Sequence, residues 1–246
     1  DRDSLIGASY NGLALLYSDQ GRWHEAAEQF DLALDLAQPR AKPDDLRLPV
    51  TKAHLAECLI QTGDLTQAEA LLQEAFDVQS RKLPGDHPSL ALTLKQFARL
   101  RHAQGNLAEA ERFARAALGI QTKLLPADHI DLADTQLVLG SILLDAAACS
   151  EAAQLLETSL NIRSRHVVNP HWIIAHTQSL LGASLMCVGQ VEEAETLLYQ
   201  GHMLLEQLRG DDDATTQGAA ERLAKLYEDT GRLEQAKSLR GLSSQP

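Results

Sequence analysis

Three histidines, His87, His129 and His171, recur at intervals of 42 residues, and a recurring imidazole invites a metal-binding or acid–base reading. His166 and His176 flank the third, which would gather metal-ligand side chains within a short stretch. Their spacing supplies no helical i, i+4 pair, and residues one repeat apart stand too far from each other to share an ion held at about 2 Å. The acidic run Asp211-Asp-Asp213 could attract Ca²⁺, but it lacks the alternating ligands of an EF-hand loop and reads as a solvated lead-in to a helix N-terminus. Neither a Gly-rich phosphate loop nor a nucleophile elbow occurs. The histidines are therefore expected to pack or cap, and the chain to be no enzyme, with no cofactor and no resident metal.

The same interval organises everything else. One turn signature returns six times at a constant 42-residue period: Gly21-Arg-Trp-His-Glu-Ala26, Gly63-Asp-Leu-Thr-Gln-Ala68, Gly105-Asn-Leu-Ala-Glu-Ala110, Ala147-Ala-Cys-Ser-Glu-Ala152, Gly189-Gln-Val-Glu-Glu-Ala194 and Gly231-Arg-Leu-Glu-Gln-Ala236. A fixed period without insertions predicts identical units stacked in register, a solenoid in which each unit packs on its neighbours.

Each unit reads as two amphipathic helices around that turn. Seven residues before the turn stands a small residue (Ala14, Ala56, Ala98, Gly140, Gly182, Ala224), preceded by Leu13, Leu55, Phe97, Leu139, Leu181 or Leu223. After the turn, Ala26 and its equivalents are followed at helical spacing by Phe30, Leu72, Ala114, Leu156 and Leu198. Such stripes bury one face of each helix, and the paired small residues allow close backbone approach within each hairpin. The turn Gly suits a left-handed C-cap. Ala147 breaks that rule, so repeat 4 is expected to carry strain or to turn differently.

Lys and Arg number 22 against 34 Asp and Glu, a formal charge of −12, and no Lys/Arg run occurs, which argues against nucleic acid and anionic membranes as partners. No apolar stretch reaches membrane-spanning length and no signal peptide opens the chain. Cys58, Cys149 and Cys187 lie scattered in three repeats, so they are expected to be reduced small hydrophobes in a cytoplasmic protein.

The small residue, Gly turn and Ala within a helical hairpin resemble the tetratricopeptide repeat (TPR). The 42-residue period is similar to that of kinesin light chains and many bacterial TPR proteins. Their inter-repeat signature appears as Leu83-Pro-Gly-Asp-His-Pro88, with weaker copies at Leu125-Pro-Ala-Asp-His129, Asn169-Pro-His171 and Gly210-Asp-Asp-Asp213. The resemblance implies an all-α fold, a right-handed α-solenoid of six stacked helix-turn-helix units with a concave groove. The expected repeats span about residues 3–45, 46–87, 88–129, 130–171, 172–213 and 214–242, the last one a cap with Arg240 at an inward position, followed by a 243–246 tail. Asp1 stands where an initiator Met would, so the N-terminus reads as a processing or fragment boundary and the C-terminus as native.

By the family's register, first-helix residues line the groove: Asn11, Leu15 and Asp19, then His54 and Glu57, then Lys95, Gln96, Arg99 and His102. Repeats 4 and 5 add Asp134, Val138, Ser141, Asp145, His176, Leu180, Ala183 and Met186, and the last adds Glu221, Arg222, Lys225 and Asp229. Lys95, Arg99 and His102 form a basic face, and Leu137, Val138, Leu144, Leu180 and Met186 an apolar strip. Together they suit a peptide with acids near hydrophobic anchors. The competing reading makes the cations a solvated face and the leucines interhelical packing. The Lys and Asn of a chaperone carboxylate clamp are missing, since Ala8/Gly12, Val50/His54 and Leu92/Gln96 occupy those places. The Asn that kinesin light chains repeat is replaced by Gly12, His54, Gln96, Val138, Leu180 and Arg222.

The expected function is a non-enzymatic protein-binding module whose groove holds a peptide or partner protein, in a monomer or weakly self-associating chain. Two alternatives stand beside it. One is a regulatory or scaffolding segment of a larger protein, for example a bacterial kinase-type signalling protein; the other is self-assembly through repeat 1.

Overall fold

A computed structural model describes residues 2–41, 45–167 and 170–241. Asn169 of the third inter-repeat signature and the 243–246 tail lie outside the described residues. Among the described residues twelve α-helices follow one another, and a short 3₁₀ turn, Gln38–Arg40, lies between the second and third. The chain divides into two compact units, Asp1–Pro126 and Ala127–Pro246.

The first unit holds α1 (Arg2–Asp19), α2 (Trp23–Ala37), α3 (Arg47–Thr62), α4 (Leu65–Lys82), α5 (Pro88–Ala103) and α6 (Leu107–Leu124). Consecutive helices pair as hairpins, and each hairpin shares its apolar stripe with the first helix of the next. Ala14, Ala26, Phe30 and Leu34 thus join Leu55 and Cys58 in one core, and Ala68 and Leu72 join Ala56, Phe97 and Leu100 in another. Burying a side chain such as Leu72 contributes about 1.5–3 kcal/mol. These cores account for the 42-residue repeat: one stripe must cover both its own partner and the next unit.

The second unit holds α7 (Ile130–Asp145), α8 (Cys149–His166), α9 (Trp172–Cys187), α10 (Val191–Arg209), α11 (Ala214–Asp229) and α12 (Leu233–Leu239), paired in the same way. Here the hairpin seams are tighter. A Cβ on Gly140 would stand 2.7 Å from Leu156, and one on Gly182 would stand 2.8 Å from Leu198 and 3.0 Å from the Ala194 carbonyl. The seam predicted between small residues is present, formed by small against large side chains.

The turns keep one geometry throughout. Gly21, Gly63, Gly105, Gly189 and Gly231 all have positive φ, between 72° and 92°. Ala147 adopts the same left-handed conformation at φ 59°. Its turn makes the same hydrogen bonds, Ala147 N–H to the Leu144 carbonyl and Ala148 N–H to that of Leu143, so repeat 4 carries the strained form of a common turn. Ala148 then leaves α8 without a side-chain cap, whereas Asp64 and Asn106 cap α4 and α6.

One expectation is overturned. Cys149 and Cys187 form a disulfide with Cα atoms 5.9 Å apart, joining the start of α8 to the end of α9. They are 38 residues apart, one period less one helical turn, which places them on facing ends of adjacent helices. Only Cys58 is free, and it is buried. The argument from reduced cysteines for a cytoplasmic chain therefore falls away. No helix among the described residues is long and apolar enough to cross a membrane.

Candidate functional site

The histidines at the 42-residue interval are helix caps. Nδ1 of His87 accepts from the Ser89 N–H at 3.1 Å, that of His129 from Asp131 at 3.1 Å and that of His171 from Ile173 at 3.3 Å. One period before and after stand Asp45, accepting from Arg47 N–H at 3.0 Å, and Asp213, accepting from Thr215 and Thr216. Five residues in phase thus satisfy the first orphan amides of α3, α5, α7, α9 and α11. The role of Asp45 escaped the sequence reading because the residue type changes, although its phase with His87 carried the signal. Among the described residues, no three His, Cys, Asp or Glu side chains gather where a metal ion could be held.

A recognition surface is better sought on the first helices. Within each unit these touch each other, α3 on α5, and α9 on both α7 and α11, whereas the second helices make no comparable contact with one another. The first helices therefore form an inner layer, joined by polar bridges about one period long. Thr51 donates to Asn11 Oδ1 at 3.3 Å, and Gln96 donates to Glu57 Oε2 at 2.8 Å. Arg99 lies 3.5 Å from Glu57, and Arg222 donates to Ser179 Oγ at 3.1 Å. Asn11, Glu57, Gln96 and Arg99 thus lie between first helices of the first unit, with Thr51 as a partner the sequence did not reveal, and Arg222 lies between first helices of the second unit, with Ser179 as its partner.

Two parts of the expected site are corrected. Lys95 is only 6% exposed and Gln96 is fully buried, so the basic face reduces to half-buried Arg99 and His102. Val138 and Leu180 are 4% and 3% exposed, and Leu137 is buried with them. Most of the apolar strip is interhelical packing; Leu144 and Met186 stay half-buried, as do Ser141 and Ala183 beside them. The cause is the tight spacing of adjacent helices, which closes positions that looser packing would leave open. His54 is half-buried and stacks on Phe30 with ring centroids 5.8 Å apart. Lys225 is exposed and pairs with Asp229 at 3.4 Å.

The electrostatics of this face follow from burial. Desolvation pulls the Arg222 guanidinium below the ordinary arginine range, opposed by the carboxylate of Asp145. In the last hairpin Arg240 is gripped by Glu221 and Glu228, which raise its pKa, and Arg240 in turn holds Glu221 below the usual carboxylate range. Within each unit, fixed carboxylate, amide and guanidinium groups can exchange hydrogen bonds with the main chain and polar side chains of a polypeptide.

Residues 47–123 and 7–38 match models of the tetratricopeptide repeat. Over these residues the chain carries tetratricopeptide repeats, and its repeats are of the kinesin-light-chain-like type. It is similar to the nearly identical TPR-like repeats of a kinesin-light-chain-type protein from Podosopora anserina, at 27% identity over 81% of this chain and 93% of that one, TM-score 0.62. A Rap protein complexed with competence and sporulation factor shares the fold at 12% identity, over 94% of this chain and 72% of that one, TM-score 0.72. Aspartyl phosphate phosphatase F from Bacillus subtilis shares it at 14% identity, over 97% of this chain and 58% of that one, TM-score 0.67. None of the curated protein sequences compared with the chain matches it.

Proposed function

We propose that the chain binds a peptide or the surface of a partner protein on the inner face of its first helices, without catalysing a reaction. The observation that carries this reading is the row of polar bridges between successive first helices, in which Glu57 faces both Gln96 and Arg99. A carboxylate on the ligand competes with Glu57 for Arg99, beside His102, so acidic ligands are favoured. The apolar anchors of the expected ligand lose Leu137, Val138 and Leu180 and keep Leu144 and Met186.

Peptides selected by display on the purified chain test this. Their affinity is measured by fluorescence anisotropy on the unaltered chain and on Arg99→Glu. A loss of about tenfold or more, with weaker binding at higher salt, supports the reading. Equal affinity on both chains removes the first-helix face as the site.

Self-association is a second reading, favoured by α1. Leu13 and Leu16 are 38% and 61% exposed, whereas their counterparts Leu55, Cys58, Phe97, Leu100, Leu139 and Ile142 are buried. Sedimentation over a wide concentration range tests it; one constant monomer mass dismisses it.

A further inference from the structure

The outer faces of the second helices follow a common polar plan that α10 abandons. At one position α2, α4, α6 and α8 carry Asp31, Gln73, Arg115 and Glu157, and one turn later Asp35, Asp77, Gly119 and Asn161. In α10 the same two positions hold Tyr199 and Met203, 51% and 43% exposed. A further turn on, Arg81, Lys123 and Arg165 of repeats 2, 3 and 4 give way to Gln207. Tyr199, Met203 and Leu204 form an apolar cleft of about 470 Å³, edged by Gln200, Glu206 and Gln207.

Internal repeats make this departure informative, since the same backbone position tolerates Asp, Gln, Arg and Glu elsewhere. With about half of each side chain open to solvent, Tyr199 and Met203 are not enclosed in the core of the unit. Both are side chains typical of interface centres. The loss of the neighbouring cation also matters. Glu206 makes no ion pair among the described residues, and Arg209 is held by Asp213 at 2.6 Å and lies over Trp172. Glu192 and Glu193 add exposed acids at the start of the helix. An apolar seat beside unpaired acid on a chain of charge −12 complements a basic partner. A second copy is disfavoured, because it would set the same acidic helix against itself.

We propose that the outer face of α10 is a second docking site, taking an amphipathic helix of a partner protein. Apolar side chains at i and i+4 of that helix seat on Tyr199 and Met203, and a Lys or Arg one turn away meets Glu206. This site lies on a second helix and does not depend on the first-helix face.

The test uses a displayed library of helical peptides, randomised on one face, selected on the intact chain and counter-selected on Tyr199→Gln/Met203→Asn. These replacements are the residue types found in repeats 2 and 4, and thermal unfolding verifies that the variant folds. The expected peptides carry an i, i+4 apolar pair with Lys or Arg. Their affinity should fall about tenfold or more on the double variant and severalfold on Glu206→Gln, while Arg99→Glu leaves it unchanged. Peptides that bind both chains equally, an acidic consensus or no enrichment would overturn the proposal. So would a dimer of the unaltered chain that the double variant dissolves, since the occupant would then be a second copy.

Discussion

Replacing Ala147 by Gly should stabilise the second unit. Ala147 holds φ 59° where five other repeats place Gly, and its side chain is exposed, so no buried contact is lost. A left-handed L-residue costs about 1–2 kcal/mol. Glycine returns about 0.4–1 kcal/mol of that by enlarging the freedom of the unfolded chain. The net gain is therefore about 0.5–1 kcal/mol, a rise in midpoint of roughly 1–4 °C for a chain of this size. Gly189→Ala is the mirror experiment within the same unit: φ is 86° and nothing lies within 4 Å of an added Cβ, so the backbone alone sets a loss of similar size. Trp23 and Trp172 lie in different units, so Trp23→Phe leaves fluorescence that follows the second unit alone. Urea unfolding with the disulfide intact is the assay. A lower midpoint for Ala147→Gly, or no change in either variant, would refute the assignment of strain to the handedness of this turn.

Leu139 is fully buried, and Leu139→Ala should cost roughly 2–5 kcal/mol in urea unfolding. The Cys149–Cys187 disulfide closes a 38-residue separation, so reductant or Cys149→Ser should lower the stability of the second unit by roughly 4 kcal/mol; an unchanged midpoint would mean the bond constrains nothing. Burial pushes the Cys58 thiol up to about 12 against the opposing Ser18 hydrogen bond, so iodoacetamide at neutral pH should label the reduced native chain at the exposed Cys187 but not at Cys58. Glu195 is held low by Arg232, Glu221 by Arg240, and Asp213, despite its burial, by Arg209. Their stabilisation is complete above the ordinary carboxylate range and is lost as pH falls through it toward the depressed folded values. Acid titration followed by Trp172 should show this loss in the second unit, and Glu195→Gln should flatten the curve.

The sequence by itself determined the repeat unit, because period, turn and stripe are local demands. Positive φ calls for Gly, a hairpin seam calls for small residues, and orphan amides call for an acceptor in phase. The turn glycines and the capping histidines were legible for that reason. Asp45 shares the phase of those histidines, but the change from His to Asp masked its equivalence to His87. Solvent access was not legible in the same way. Lys95, Val138 and Leu180 occupy groove positions by register, yet packing between adjacent helices buries them. The partners of Asn11, Glu57 and Arg222 lie about one period away, where residue identity varies freely from repeat to repeat. The Cys149–Cys187 bond is of the same kind, since scattered spacing hid a pair that stacking brings together. Helix type and turn are set by bonds a few residues long, whereas exposure and pairing depend on distances between neighbouring repeats, which only the tertiary structure decided.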